Sequence, residues 1–397
     1  MNVPVWPITN RNPPPRSFSI CSSRKPSVRA ARKTDYLRDT LEHLLSIPSP
    51  SGYTDHIVHW VADEIARLGA KVEITRRGAI RAALPGKAKQ PARAIISHLD
   101  TLGAIVTRIK PNGRASLAEI GHWSSRFAEG ARGTVYSDKG AYRGTILPLK
   151  ASGHVNWEQV EFRIDAPFSS AQETEAAGIG IGDIIAIDPQ PEFFDNGFIV
   201  SRHLDDKAGV AACLATMKAL IARDETLPVR TVFLFSISEE VGVGASSILT
   251  QDIASMVAVD NGAIAPGQGS RETGVTIAMG DMTGPFDFHL TRKLISLCEA
   301  HGIKHQRDHF KHYRSDNASA VEGGADVRTS LITFGVDASH GYERTHMDAL
   351  ESVAQLLTAY ALSPVEIARD AQDISGPKGF TDQPMTVARG AKGHRTD

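Results

Sequence analysis

Three short apolar runs in this chain each stop at, or just before, an acid or a histidine. Ala94 to Ser97 ends at His98, Val229 to Ser236 ends just before Glu239-Glu240, and Met256 to Val259 ends at Asp260. Runs this short and this continuously apolar read as strands covered on both faces. Charge at the ends of buried strands points into a cleft, where it can do chemistry. A fourth run, Leu331 to Val336, ends shortly before His340, and Asp205-Asp206 opens a helical stretch that continues through about Ala222.

Helical spacing surrounds these strands. Tyr36, Leu37, Leu41, Leu44 and Leu45 share one face of a first helix, stopped by Ile47-Pro48-Ser49-Pro50. A second helix is expected from about Thr54 to Leu68, short strands around 71–74 and 80–83, and a closing amphipathic helix from Met347 to Leu362. Between them, residues 101–200 change character: glycines and short alternating runs dominate, as in a small β-rich unit. Gly178-Ile179-Gly180-Ile181-Gly182 lies in that unit with no helix clearly following, so it reads as a turn feeding a strand rather than a phosphate loop. The expected fold class is α/β, with one domain built from 34–100 and 201–372 and interrupted by a β-rich insertion at 101–200. Residues 1–33 hold seven Lys or Arg, several serines and Pro13-Pro14-Pro15, with no acid before Asp35. They read as a disordered basic leader, and 373–397 as a polar disordered tail.

Composition narrows the function classes. A formal net charge of -1 argues against a nucleic-acid binder. No apolar stretch reaches the roughly 18 residues needed to span a bilayer. Three widely spaced cysteines, Cys21, Cys213 and Cys298, make no disulfide framework and favour a reducing cytoplasm.

The charged sites can then be read one at a time. In His98-Leu99-Asp100 the two polar residues are two apart, so on extended backbone they face the same side. A histidine that ligates a metal needs its other ring nitrogen held, and Asp100 is placed to hold it. Asp205-Asp206 sets two like charges side by side; a carboxylate bridging two cations removes their repulsion, leaving its neighbour to shape the loop. Glu239-Glu240 at a buried strand end is costly without a cation nearby. The natural division of that pair is one metal ligand and one general base. Asp260 and His340 complete an oxygen- and nitrogen-rich donor set that suits two divalent ions, zinc or cobalt.

This ordered set resembles the dinuclear metallopeptidases with a phosphorylase-like catalytic domain, and within them metallopeptidase family forty-two, the tetrahedral glutamyl aminopeptidases. The resemblance rests on Ser97-His98-Leu99-Asp100, on Leu204-Asp205-Asp206-Lys207-Ala208-Gly209, on Glu239-Glu240 and on Asp260, and covers roughly 36–365. It implies a three-layer catalytic domain with a mixed sheet, interrupted by a dimerisation-like insertion. One metal would be held by His98, Asp205 and Asp260, and the other by Asp205, Glu240 and His340, with Glu239 as general base. Asp205 would bridge the two ions, and the following peptide to Asp206 would be cis. Asp316, in Arg314-Ser315-Asp316-Asn317-Ala318, matches a motif lining the substrate pocket. The expected activity is hydrolysis of N-terminal residues from short peptides, by a homo-oligomer of dimers that could extend to a dodecamer.

Departures from the family pattern matter. Asp100-Thr101 stands where Asp-Glu is usual, Lys207 where Arg is common, and Ser339-His340-Gly341-Tyr342-Glu343 is about one residue short, which makes His346 a rival to His340. These variants resemble a bacterial subgroup associated with the osmoprotectant N-acetylglutaminylglutamine amide. Two other readings stay open: an amidohydrolase or deacylase acting on a small acylated dipeptide or dipeptide amide, and a non-catalytic assembly protein stabilised by metal. The basic stretch Lys304 to Arg314, with Arg307 and Lys311, is either a solvated connection or a reader of acidic or amide side chains.

Overall fold

The structure, a computed structural model, describes residues 33–383 apart from 151, 152, 154, 224 and 373. The basic leader, except for its last residue, and most of the tail lie outside that range. Two helices open the chain, α1 (Lys33–Ser46) and α2 (Asp55–Arg67), followed by β1 (Lys71–Ile74), β2 (Ile80–Leu84) and β3 (Gly86–His98). Next come β4 (Gly103–Ile109), β5 (Ala115–Ile120), the short α3 (Ser125–Ala128), β6 (Arg132–Ser137), β7 (Gly140–Pro148), β8 (Val160–Ile164), α4 (Ala171–Ala176) and β9 (Ile184–Ile187). The strands β10 (Glu192–Phe193) and β11 (Phe198–Ser201) lead into α5 (Leu204–Ile221), β12 (Leu227–Ser236) and β13 (Ile253–Ala263). The chain continues through β14 (Val275–Ala278), β15 (Gly280–Asp281), β16 (Gly284–Pro285), α6 (Phe288–His301), β17 (His305–Asp308) and α7 (Asp316–Glu322). It closes with β18 (Arg328–Val336), β19 (Glu343–His346) and α8 (Met347–Leu362).

Eight strands form one mixed sheet in the order β1-β2-β12-β3-β13-β18-β14-β17. Its middle strands β12, β3, β13 and β18 run parallel, which aligns their carboxyl ends along one edge. The last eight residues of β3 are all buried, as expected of a strand covered on both faces. Helix α5 is buried on almost every side, because it packs against α1 and α8 as well as β3 and β13. The result is an α/β fold with a mixed sheet.

Strands β4 to β9 close into an antiparallel barrel in the order β4-β5-β8-β7-β6-β9, with its own core around Phe162, Ile146 and Val135. The barrel ends at Ile187, short of the expected limit near 200. Strands β10 and β11 instead join a separate three-stranded sheet, β10-β11-β19, in which β11 pairs with both neighbours. That pairing carries the chain from the barrel to the start of α5 and sets β11 beside the segment that follows His340.

Candidate metal centre

The candidate ligands, base and pocket residue lie at a carboxyl end of β3, β12, β13 or β18 or at the start of α5 or α7. His98 closes β3, Glu239 and Glu240 follow β12, Asp260 lies near the end of β13, and His340 lies in the turn after β18. Asp205 and Asp206 open α5 in non-helical conformation, and the peptide between them is cis. Parallel neighbouring strands that stop in register bring these loops to one place.

Within that place the donors touch. His98 Nε2 lies 3.0 Å from Asp205 Oδ1 and 3.9 Å from Glu239 Oε2. His340 Nε2 lies 3.3 Å from Asp205 Oδ2 and 3.9 Å from Glu240 Oε2. Asp205 thus stands between the two histidines, one on each carboxylate oxygen. Among the described residues, three triads have ligand atoms within 4.8 Å of one another: His98–Glu239–Asp260, His98–Asp205–Glu240 and Asp205–Asp206–Asp260. They share residues, so the donors form one continuous cluster rather than separate pockets.

Supporting residues hold this cluster in position. His98 Nδ1 lies 2.9 Å from the Asp100 carbonyl oxygen and 3.6 Å from its carboxylate. Asp100 accepts the backbone N–H groups of Glu239 and Glu240 at 3.1 and 3.3 Å, and the Ser51 hydroxyl at 2.5 Å. Asp206 accepts from the Ser97 hydroxyl and from the His98 backbone N–H at 3.3 Å. Two further residues carry no motif of their own. Glu343 accepts the backbone N–H groups of Asp205 at 3.1 Å and His340 at 2.9 Å. The Asn261 side-chain amide donates to both Asp205 and Asp260.

The rival histidine is elsewhere. His346 accepts the Asp348 backbone N–H at the start of α8, and its Nε2 lies 2.9 Å from the Asn196 carbonyl oxygen. Asp316 opens α7, buried, accepting the Ser236 hydroxyl at 2.7 Å beneath the loop that bears Glu239. Asp316 thus ties α7 to the end of β12, next to the loop that bears Glu239. Of the basic stretch, His305 to Asp308 form the edge strand β17, and Arg314 pairs with Glu322 at 2.5 Å.

Electrostatics show what the cluster lacks. Burial pushes the Glu239 carboxyl up to about 8, with Asp316 and Asp205 adding repulsion against the pull of His98. Burial likewise raises Glu240 and Asp260 well above the usual carboxylate range, reinforced by the Asp205 charge. Glu343 rises to about 7 for the same two reasons. Burial alone would raise Asp205 too, but His340 and His98 hold it well below its ordinary value. Burial opposes the charged form of His98, yet Asp100 and Asp205 raise it well above a free imidazole.

More acid is buried here than the two histidines can balance. Glu240 Oε1 is buried with no hydrogen-bond partner. Buried carboxylates of this kind are satisfied by cations. The donor chemistry, histidine nitrogen and carboxylate oxygen with outer partners on each, fits divalent metal ions.

A family profile described as M42 glutamyl aminopeptidase matches residues 78–356. The "Putative aminopeptidase YhfE" of Bacillus subtilis is 37% identical over 346 residues, which is 85% of this chain and 99% of that protein. The glutamyl aminopeptidase of Lactococcus lactis is 25% identical over 224 residues, 54% of this chain and 62% of that protein. Among solved structures, the aminopeptidase APDkam598 from Desulfurococcus kamchatkensis has a TM-score of 0.77 at 22% identity, covering 87% of this chain and 99% of its own. The Pyrococcus horikoshii TET1 peptidase, described as assembling into a tetrahedron or a large octahedral shell, has a TM-score of 0.74 at 24% identity over 82% of this chain and 99% of its own. These two structural likenesses carry the fold.

Proposed function

The chain belongs to the M42 glutamyl aminopeptidase family, and we propose that it is a metal-dependent aminopeptidase that removes N-terminal residues from short peptides. The observation that supports this most directly is Asp205 set between His98 and His340, with Glu239 and Glu240 facing the same point. In this reading His98, Asp205 and Asp260 hold one divalent cation, zinc or cobalt, and Asp205, Glu240 and His340 hold the other. Bound there, the pair would activate a water for attack and polarise the scissile carbonyl.

The protein's own part follows from its geometry. Glu239, less deeply buried than Glu240, is the carboxylate free to take a proton from the attacking water and return it to the leaving amine. Asp100 fixes the ring of His98 and the main chain of both glutamates, so base and ligand stay in a set relation. Asp316, tied to the end of β12 through Ser236, is the pocket-lining residue of this reading.

A homo-oligomer is the expected assembly, with the β4–β9 barrel as the dimerisation-like insertion. Among the described residues no helix is long and apolar enough to cross a membrane, and a cytoplasmic protein is the reading kept from the cysteines. The osmoprotectant-associated subgroup rests on the Asp100-Thr101 and Lys207 departures and on the shortened segment from Ser339 to Glu343.

Hydrolysis of a matched panel tests the reading: free-amine Glu, Gln, Leu and Lys amides, dipeptides and their N-acetyl counterparts, with added Zn²⁺, Co²⁺ or Mn²⁺. Cleavage confined to free amines and lost with chelator is the expected result. Cleavage confined to the blocked compounds would turn the assignment into a deacylase. In the same assay Glu239→Gln should lose roughly two or more orders of magnitude in turnover while retaining metal. Undiminished turnover in that variant would remove Glu239 from the base role, and no turnover of any compound by the metal-loaded protein would favour the assembly reading.

A further inference from the structure

A separate cavity of about 210 Å³ lies between the segment after α1, the start of α5 and the barrel. Lys207 forms part of its wall, only 1% exposed, and its ammonium donates one hydrogen bond, to the Ile47 carbonyl oxygen at 2.5 Å. An ammonium carries three donors, so two remain for the cavity. Among the described residues no carboxylate pairs with it. The other two oppositely charged groups on the wall, Arg143 and Asp188, already neutralise each other through a two-point contact.

Two hydroxyls on the barrel side add to this donor excess. Thr134 Oγ accepts from Arg143 at 2.8 Å, which leaves its own O–H available. Tyr136, stacked on Tyr53 with ring centroids 4.5 Å apart, also lines the cavity, and among the described residues its hydroxyl donates to no partner. Lys207, with two donors unused, and two hydroxyls with uncommitted protons line this cavity, a donor-rich setting that suits an anion. A space of this size admits a halide or a small carboxylate with accompanying water.

We propose that this cavity is a binding site for a small monovalent anion, seated against Lys207 Nζ and the hydroxyls of Thr134 and Tyr136. The site is distinct from the acidic cluster, whose excess of carboxylate repels anions, and it does not depend on the enzymatic reading. An anion there ties the segment at Ile47 to both α5 and the barrel, so binding stabilises the folded chain by mass action.

The full-length protein is dialysed into sodium gluconate, then titrated at constant ionic strength with chloride, bromide, formate or acetate while the unfolding midpoint is followed. A saturable rise with the halides assigns a halide site, and a rise with formate and acetate alone assigns a carboxylate site. Either supports the proposal if Lys207→Arg keeps the effect and Lys207→Met loses it. Bromide-soaked crystals of the unaltered protein should show an anomalous peak within hydrogen-bond reach of Lys207 Nζ. Should Lys207→Met fail to fold, Thr134→Val, expected to weaken the midpoint shift, decides together with that peak. No saturable shift and no bromide at Lys207 would overturn the proposal, as would a shift that Lys207→Met leaves unchanged in a folded protein.

Discussion

Asp100 and Glu239, 139 residues apart in the chain, are joined by a hydrogen bond from the Glu239 backbone N–H to Asp100 Oδ1 at 3.1 Å. The other Asp100 oxygen accepts the next backbone N–H, that of Glu240, at 3.3 Å. One carboxylate therefore sets the position of both glutamates, and the carbonyl of the same residue meets the ring of His98.

Asp100→Asn keeps the shape but offers one oxygen and one amide where two acceptors are needed. Its N–H₂ must face a backbone N–H in either orientation, that of Glu239 or that of Glu240 together with the Ser51 hydroxyl. Metal affinity or turnover should fall by roughly 10- to 100-fold, the usual loss when an outer partner of a ligand is removed. Calorimetric metal titration and steady-state kinetics check this, with circular dichroism to confirm an unchanged fold. Wild-type values in both would show that Asp100 does not position the site.

The pKa directions predict how metal-free protein responds to pH. Glu239 at about 8, Glu343 at about 7 and Asp316 at about 6 all lie above their ordinary values, chiefly through burial. His340 is raised to about 10, since Asp205 and Glu240 outweigh its burial. A group with a raised folded pKa binds more protons folded than unfolded, so its stabilisation is present below the unfolded pKa and is lost as pH rises through the folded one. The carboxylates lose theirs between about pH 4 and 8, and His340 between about 6.5 and 10. Groups held low act oppositely: Asp205 in acid, and His203 at about 3 and Lys207 at about 7, both lowered by burial, which gain stability as pH rises but are outnumbered by the raised groups. Chelator-treated protein should thus unfold more easily at pH 9 than at pH 5. Divalent metal should reverse that slope, because its ligands must be deprotonated. Urea melts at three pH values, with and without Zn²⁺, measure both slopes, and a flat profile in metal-free protein would contradict the assigned shifts.

How much of this was legible in the sequence depends on whether a residue's neighbours are local. The strand ends bearing His98, Glu239 and Asp260 stood out because apolar runs announce buried strands, and the helix Met347–Leu362 appears with the bounds its periodicity implies. Asn261 was hidden by the same reasoning, since on a strand the residue after Asp260 should face away from it. Its amide nevertheless reaches Asp205 and Asp260. Glu343 was hidden for a different reason: it acts on backbone N–H groups, one of them 138 residues away, and an isolated glutamate at the start of the short strand β19 gives no periodic signal. The barrel's strand order was equally invisible, because closure through β4 and β9 is a contact between distant segments.

The two histidines near the chain's end make a paired test. His340 faces Asp205 and Glu240, whereas His346 caps α8 and packs edge-on against Phe198. His340→Ala should lose metal affinity and most activity, and metal-free protein should also lose stability near neutral pH, where the His340 charge faces Asp205 and Glu240. His346→Ala should keep metal and activity but lose about 1 kcal/mol of stability with the helix cap. Exchange of these outcomes, read by metal content and thermal melts, would return the ligand role to His346.

Gly244 supplies a final prediction about the base itself. A Cβ at this position would sit 2.1 Å from Asp316 Oδ1 and 2.9 Å from Glu239 Cα, too close for either to stay. Asp316 is anchored by Ser236, so the strain passes in part to the main chain that carries Glu239. A displacement of about 1 Å in a reacting group can cost on the order of 100-fold in rate, and Gly244→Ala should lower turnover on that scale. Gly242, two residues earlier, is the control: it has φ of +80° and open space around its Cβ position. Gly242→Ala should lose roughly 1–2 kcal/mol of stability to the left-handed backbone while keeping its rate constant. If the two variants lose turnover equally, the loop as a whole is responsible and the contact of Gly244 with Asp316 and Glu239 has no particular role. If only Gly244→Ala is slow, that close packing is what holds Glu239 in place.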